Sequence, residues 1–208
     1  MRLDKKLNLI IPLEREDGTQ VHIYHTPISR DIYNTYFRIL NMVGTQVYAN
    51  DLSFFGGPEA AFLMLKEISE NTARPDGSGN WWEGENGVEK GLIEELWRKT
   101  QVLNLSPSGW DLLPFDVAIA RDDKGNWRSD ILSEDEAAEV CGGIVFFTFS
   151  TFMRQNPVIS RGLIAAAALF DWQLSSLALT EYRTSLTTLT KDESLDEVAT
   201  PKALSIPS

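Results

Sequence analysis

A chain of 208 residues with 43% hydrophobic and 24% charged side chains can close one sizeable core, and its make-up excludes the disordered, collagenous and disulfide-rich classes. Thirty Asp and Glu against 19 Lys and Arg leave a formal net charge of −11, which argues against nucleic acid or an anionic membrane as main partner and suits solubility or a basic protein partner. Cys141 is the single cysteine, so no internal disulfide forms and a reducing compartment is expected.

The segment Met1-Arg2-Leu3-Asp4-Lys5-Lys6 lacks the cleavable small-residue site of a signal peptide. Leu7, Leu9 and Ile11 then alternate with Asn8, Ile10 and Pro12, and Val21, Ile23 and His25 alternate with His22 and Tyr24. Between them Asp17-Gly18 supplies the positive φ of a tight turn, so a β-hairpin is predicted over about 7–25. Ser29 is a candidate N-cap with Asp31 placed to meet the helix dipole, and Ile32, Tyr36, Ile39, Leu40, Val43 and Val47 recur at helical spacing. That stripe predicts a helix from about Arg30 to Val47 as cover for the hairpin.

Asn50 to Gly57 is rich in turn residues and carries Phe54 and Phe55. Pro58 suits the first turn of a helix running from Glu59 to about Asn71, with Ala61, Phe62, Leu65 and Ile68 on its apolar side. Arg74 to Asn80 is predicted to be a mobile loop, and it ends in Trp81-Trp82. Val88, Leu92, Leu96 and Val102 or Leu103 predict a third helix over Gly87–Leu103. Ser106-Pro107-Ser108-Gly109 breaks the chain, and Trp110 to Ala120 is compatible with a short helix or an extended segment. Asp122 to Asn126 reads as a turn.

The stretch from Ser133 to Tyr182 organises the rest. Ser133-Glu134-Asp135-Glu136 is a capping-box pattern, Val140 to Met153 carries no charge, and Gly162 to Leu179 carries only Asp171. Pro157 separates the two runs, which predicts two apolar helices lying antiparallel and covered by the preceding residues. The longest uncharged run falls short of the roughly 18 residues a spanning helix needs. Thr190 to Ser208 has four acids, two prolines and no aromatic residue, so a disordered tail is expected there. The fold class is therefore α+β, mostly α: one domain over 1–189, made of an N-terminal hairpin on a helical body with a C-terminal apolar helical pair, followed by the tail at 190–208.

Residue patterns offer little chemistry. His22 and His25 lie three apart in a predicted strand and point to opposite faces, so one metal could not easily take both. Cys141 sits in an apolar run without a basic neighbour, the wrong setting for a reactive thiolate. Glu94-Glu95, Asp122-Asp123 and Glu134-Asp135-Glu136 read as solvated faces and caps rather than acid–base pairs. No catalytic, cofactor-binding or metal site is expected. Phe54, Phe55, Trp81 and Trp82 fall in predicted loops, where large rings either contact a partner or fold back to seal the core; they are the candidate partner-binding residues.

The N-terminal residues 1–12, Met1-Arg2-Leu3-Asp4-Lys5-Lys6 through Pro12, followed by Val21-His22-Ile23-Tyr24-His25-Thr26-Pro27-Ile28-Ser29-Arg30, resemble the tail assembly chaperones of long-tailed (siphovirus-like) bacteriophages. Gly87 to Leu92, Gly109-Trp110 with Pro114-Phe115-Asp116, and Val145 to Thr148 look similar further on, so the likeness spans most of the chain before the tail. The resemblance implies a non-enzymatic protein of the infected cell's cytoplasm, absent from the finished virion. It would coat the tape measure protein and keep it soluble while the major tail protein polymerises around it. Such families also allow self-association into homo-oligomers, and many make a longer product by programmed frameshift that recruits tail tube subunits. Thr200-Pro201-Lys202 can be encoded with a C-CCA-AAA slippery heptamer, which the gene is expected to contain. The competing expectations are another phage morphogenesis or virion component, such as a tail completion or neck protein, and an acidic inhibitor that mimics nucleic acid.

Overall fold

The computed structural model describes residues 7–15, 18–50, 52, 56–119, 131–153 and 157–186. Phe54 and Phe55, the expected turn at Asp122–Asn126 and the expected tail at 190–208 lie outside the described residues.

The predicted hairpin forms. Strands β1 (Asn8–Glu14) and β2 (Gln20–His25) pair antiparallel with Ile11 opposite Ile23, and Gly18 in the turn has φ +78°. Helix α1 (Arg30–Ala49) follows, with the Ser29 side chain accepting from the Ile32 amide and Asp31 in the first turn. Helix α2 (Gly57–Asn71) carries Pro58 in its first turn, where a missing N–H costs nothing.

The third predicted helix is corrected by the structure. A π-helical turn (Val88–Ile93) and the short helix α3 (Glu94–Arg98) end before Thr100, and strand β3 (Thr100–Ser106) follows. Val102 faces the helices while Leu103 faces the other way, and both are fully buried. A strand covered on both faces loses its alternation, so its apolar run mimics a helical stripe. The undecided segment resolves into both forms: strand β4 (Gly109–Pro114), hairpinned to β3, then a single helical turn α4 (Phe115–Ala118).

The C-terminal pair is present, though shorter than expected in its second member. Helix α5 (Glu134–Met153) opens on the predicted capping box: the Ser133 amide donates to Glu136 Oε2 at 2.7 Å and the Glu136 amide to Ser133 Oγ at 3.2 Å. Arg15 Nε donates to Glu136 Oε1 at 2.7 Å and its Nη2 to Oε2 at 2.8 Å, which ties the end of β1 to the start of α5. A further bond runs from Arg15 Nη2 to the Ile131 carbonyl. Helix α6 (Pro157–Leu169) stops at Asp171, a non-glycine residue at φ +54°, and the chain continues as strand β5 (Gln173–Ser175) and helix α7 (Leu179–Ser185).

The five strands among the described residues form one antiparallel sheet in the order β4-β3-β2-β1-β5, so the α+β, mostly helical class holds. The main core lies between one face of this sheet and helices α1, α2 and α5; α2 packs along α5. Gly142 allows that close approach, since a Cβ there would collide with the Pro58 carbonyl oxygen. By length and composition α5 could cross a membrane, but 67% of its apolar window is buried inside the protein, as befits a core helix.

Candidate functional site

Trp81 and Trp82 are half-buried and pack against the main core. Both amides donate to the Ser69 carbonyl at the end of α2, and the Trp81 and Trp82 carbonyls accept from Val88 and Glu89. Arg74 sits over the Trp81 ring and Lys66 over the Trp82 ring, each 5.8 Å from the centroid. The loop before them is closed rather than loose: Ala73 bridges to Asn80, and the Arg74 guanidinium donates to the Asn80 and Glu83 carbonyls. The two rings therefore cover the α2 end of the core, and only their outer edges remain open to a partner. Phe54 and Phe55 lie outside the described residues.

The histidines separate as the strand period requires. His22 Nδ1 meets Tyr182 Oη at 3.0 Å and the ring lies edge-on to Trp110, on the sheet face away from the main core. His25 is fully buried on the other face against Phe147. Thr100 Oγ1 donates to the Leu96 carbonyl at 2.7 Å, so His25 Nδ1, 2.8 Å away, must carry the proton it donates to Thr100. Burial pushes this imidazole down to about 3 and keeps it neutral. The Cys141 thiol, buried near Trp97, is pushed up to about 12, which makes it a packing residue. Glu95 holds Arg98 at 2.8 Å and Lys99 at 3.9 Å, and Glu136 is held below the usual carboxylate range first by its bond from Arg15. Among the described residues no three His, Cys, Asp or Glu side chains are placed to hold a metal.

The surface feature with binding geometry lies elsewhere. A groove of about 730 Å³ opens between the β2–α1 junction and the C-terminal end of α5. Its floor is aromatic: Tyr33 stacks on Phe152 with centroids 3.9 Å apart, and Phe37 stands edge-on to Tyr33 at 6.0 Å. Leu7, Pro27, Ile28 and Met153 add apolar wall. Phe37 is 49% exposed, a large ring left half open. Ser29 and Arg30, at the N-terminal end of α1, and Lys99 stand on the rim. Tyr33 and Thr151 both line the groove, and each buries a hydroxyl oxygen that has no hydrogen-bond partner among the described residues.

Sequence reasoning passed over this groove because it tracked the main stripe of α1. Tyr33 is itself a buried member of that stripe, in step with Tyr36, Leu40, Val43 and Val47, and Phe37 one turn on, a large ring on the exposed side, was the signal available. Phe152 and Met153 gave none, since they look like the end of a core helix. No protein-family model, no curated protein and no solved structure matches the chain.

Proposed function

We propose that this chain is a tail assembly chaperone that binds the tape measure protein and keeps it soluble during phage tail morphogenesis. The observation that carries the proposal is the aromatic groove with the half-open Phe37 ring on a body of net charge −11. A chaperone for a long amphipathic helix needs an apolar concavity on a highly soluble surface, and a helix lays its apolar face into such a groove by one or two turns. The resemblance of residues 1–12 and 21–30 to that chaperone family supplies the client's identity. Under this reading the protein performs no catalysis, acts in the host cytoplasm and is left out of the virion. The major tail protein is engaged through a frameshifted product, and the outer edges of Trp81 and Trp82, with Phe54 and Phe55, add contacts for the client.

The test is co-expression with the tape measure protein of the same phage. Soluble client in the presence of the chain, and co-purification of the two, are the expected results. A client that stays insoluble, even with the frameshifted product present, would overturn the reading. Recovery of the chain from purified particles would favour the alternative of a virion component. Alanine at Phe54, Phe55, Trp81 and Trp82 together should weaken capture; unchanged capture would remove those four as contacts.

A further inference from the structure

The groove has a chemical bias that its apolar floor alone does not impose. Arg30 and Lys99 stand on its rim, while Glu95 pairs with Arg98 and Lys99 and Asp31 sits in the first turn of α1. Among the described residues Arg30 and Lys99 are the charged side chains that line the groove, so its rim is positive in a chain of net charge −11. Arg30 forms no ion pair among the described residues, and Lys99 Nζ lies only loosely against Glu95 at 3.9 Å. The groove also borders the N-terminus of α1, a 20-residue helix whose first-turn amides favour negative charge. The positive rim and the helix N-terminus both favour an anionic group.

Resting on the reading of the groove as the client site, we propose that it selects an acidic amphipathic helix: apolar side chains of the tape measure protein sit against Tyr33, Phe37 and Phe152 while a Glu or Asp on the next turn meets Arg30 and Lys99. The apolar contacts supply most of the affinity, and the carboxylate fixes which turn of the helix enters. Selection of this kind lets a strongly acidic protein hold an acidic client segment at one defined corner, where the general repulsion between the two is locally reversed.

The full-length chain and overlapping 20-residue peptides covering the tape measure protein provide the test, with binding read by fluorescence anisotropy at two salt concentrations. Peptides carrying a carboxylate within one helical turn of an apolar cluster should bind best, and replacing that carboxylate by its amide should weaken binding about tenfold. The double variant Arg30→Glu, Lys99→Glu should reproduce that loss and remove its salt dependence. Phe37→Ser, at a half-exposed site, should weaken all bound peptides while leaving the urea midpoint unchanged. Loss with Phe37→Ser but not with charge reversal would overturn the acidic preference and leave a neutral or basic helix as occupant. Full binding by both variants would place the client elsewhere, overturning this inference but not the chaperone reading, which co-expression tests separately. A change in sedimentation on Phe37→Ser without any change in peptide binding would show that a second copy of the chain fills the groove, and would also overturn it.

Discussion

The two faces of the sheet use alternate residues of the same strands and come out very different. On the inner face Leu9, Ile11, Val21, Ile23 and Val102 join a core built with α1, α2 and α5, and His25 is taken in with them as a neutral imidazole. On the outer face, among the described residues, Ile10, Tyr24, Leu103 and Trp110 are covered chiefly by α7, a helix of seven residues that contributes Tyr182. The outer side compensates with polar anchors: Tyr24 Oη and Asn8 Nδ2 both donate to the Leu177 carbonyl, at 2.6 and 3.0 Å, and Tyr182 Oη meets His22. Depth of cover, rather than residue type, separates the faces. A thick helical layer can hold apolar groups and even a silent histidine by exclusion of water, whereas a thin one has to be pinned by hydrogen bonds at its edges.

The comparison breaks most severely on the inner side. Phe147→Ala removes a fully buried ring that packs edge-on against His25 and should cost about 3–5 kcal/mol, seen as a large fall in the urea midpoint. On the outer side Tyr182→Ala should cost about 2 kcal/mol, because α7 can detach while the inner core persists. Hydrogen exchange would separate the two: the outer variant should lose protection in α7 and β5 and keep it in α5. Equal losses throughout would mean that the two faces unfold as one unit.

A gentler measurement is pH. Burial lowers the His25 pKa to about 3 from 6.5, so the unfolded chain takes up a proton that the folded chain refuses. Its contribution is complete above pH 6.5 and is lost as pH falls toward 3, about 1–2 kcal/mol of it between pH 7.5 and 5.5. His22 is lowered too, first by burial with Glu14 opposing, and adds to the same trend. Glu136 has a depressed pKa and acts in a separate, more acid window below 4.5, where its loss would free the start of α5. A stability flat between pH 5.5 and 7.5 would contradict a neutral His25 in the core. The smallest effect is Tyr182→Phe, which removes only the bond to His22 and should cost about 1 kcal/mol.

What the amino-acid order determined by itself was local and strongly patterned. The hairpin, the Ser29 cap, the Ser133–Glu136 box, the Pro58 start of α2 and the opposite facing of His22 and His25 each follow from a few neighbouring residues whose hydrogen bonds or periods are self-contained. Tertiary structure alone decided the elements whose character depends on distant cover. Thr100–Ser106 is a strand because β2 needed a partner on its far side, and β5 and α7 arise because the sheet's edge and outer face had to be closed by whatever chain followed α6. The same holds for the groove, where Tyr33 and Phe37 of α1 meet Phe152 of α5 across more than a hundred residues. The tryptophans that stood out by position turned to the core because α2 offers backbone carbonyls that tie their loop down. Short-range periodicity cannot register a surface made by distant segments, since each contributing segment carries only its own small share of the pattern.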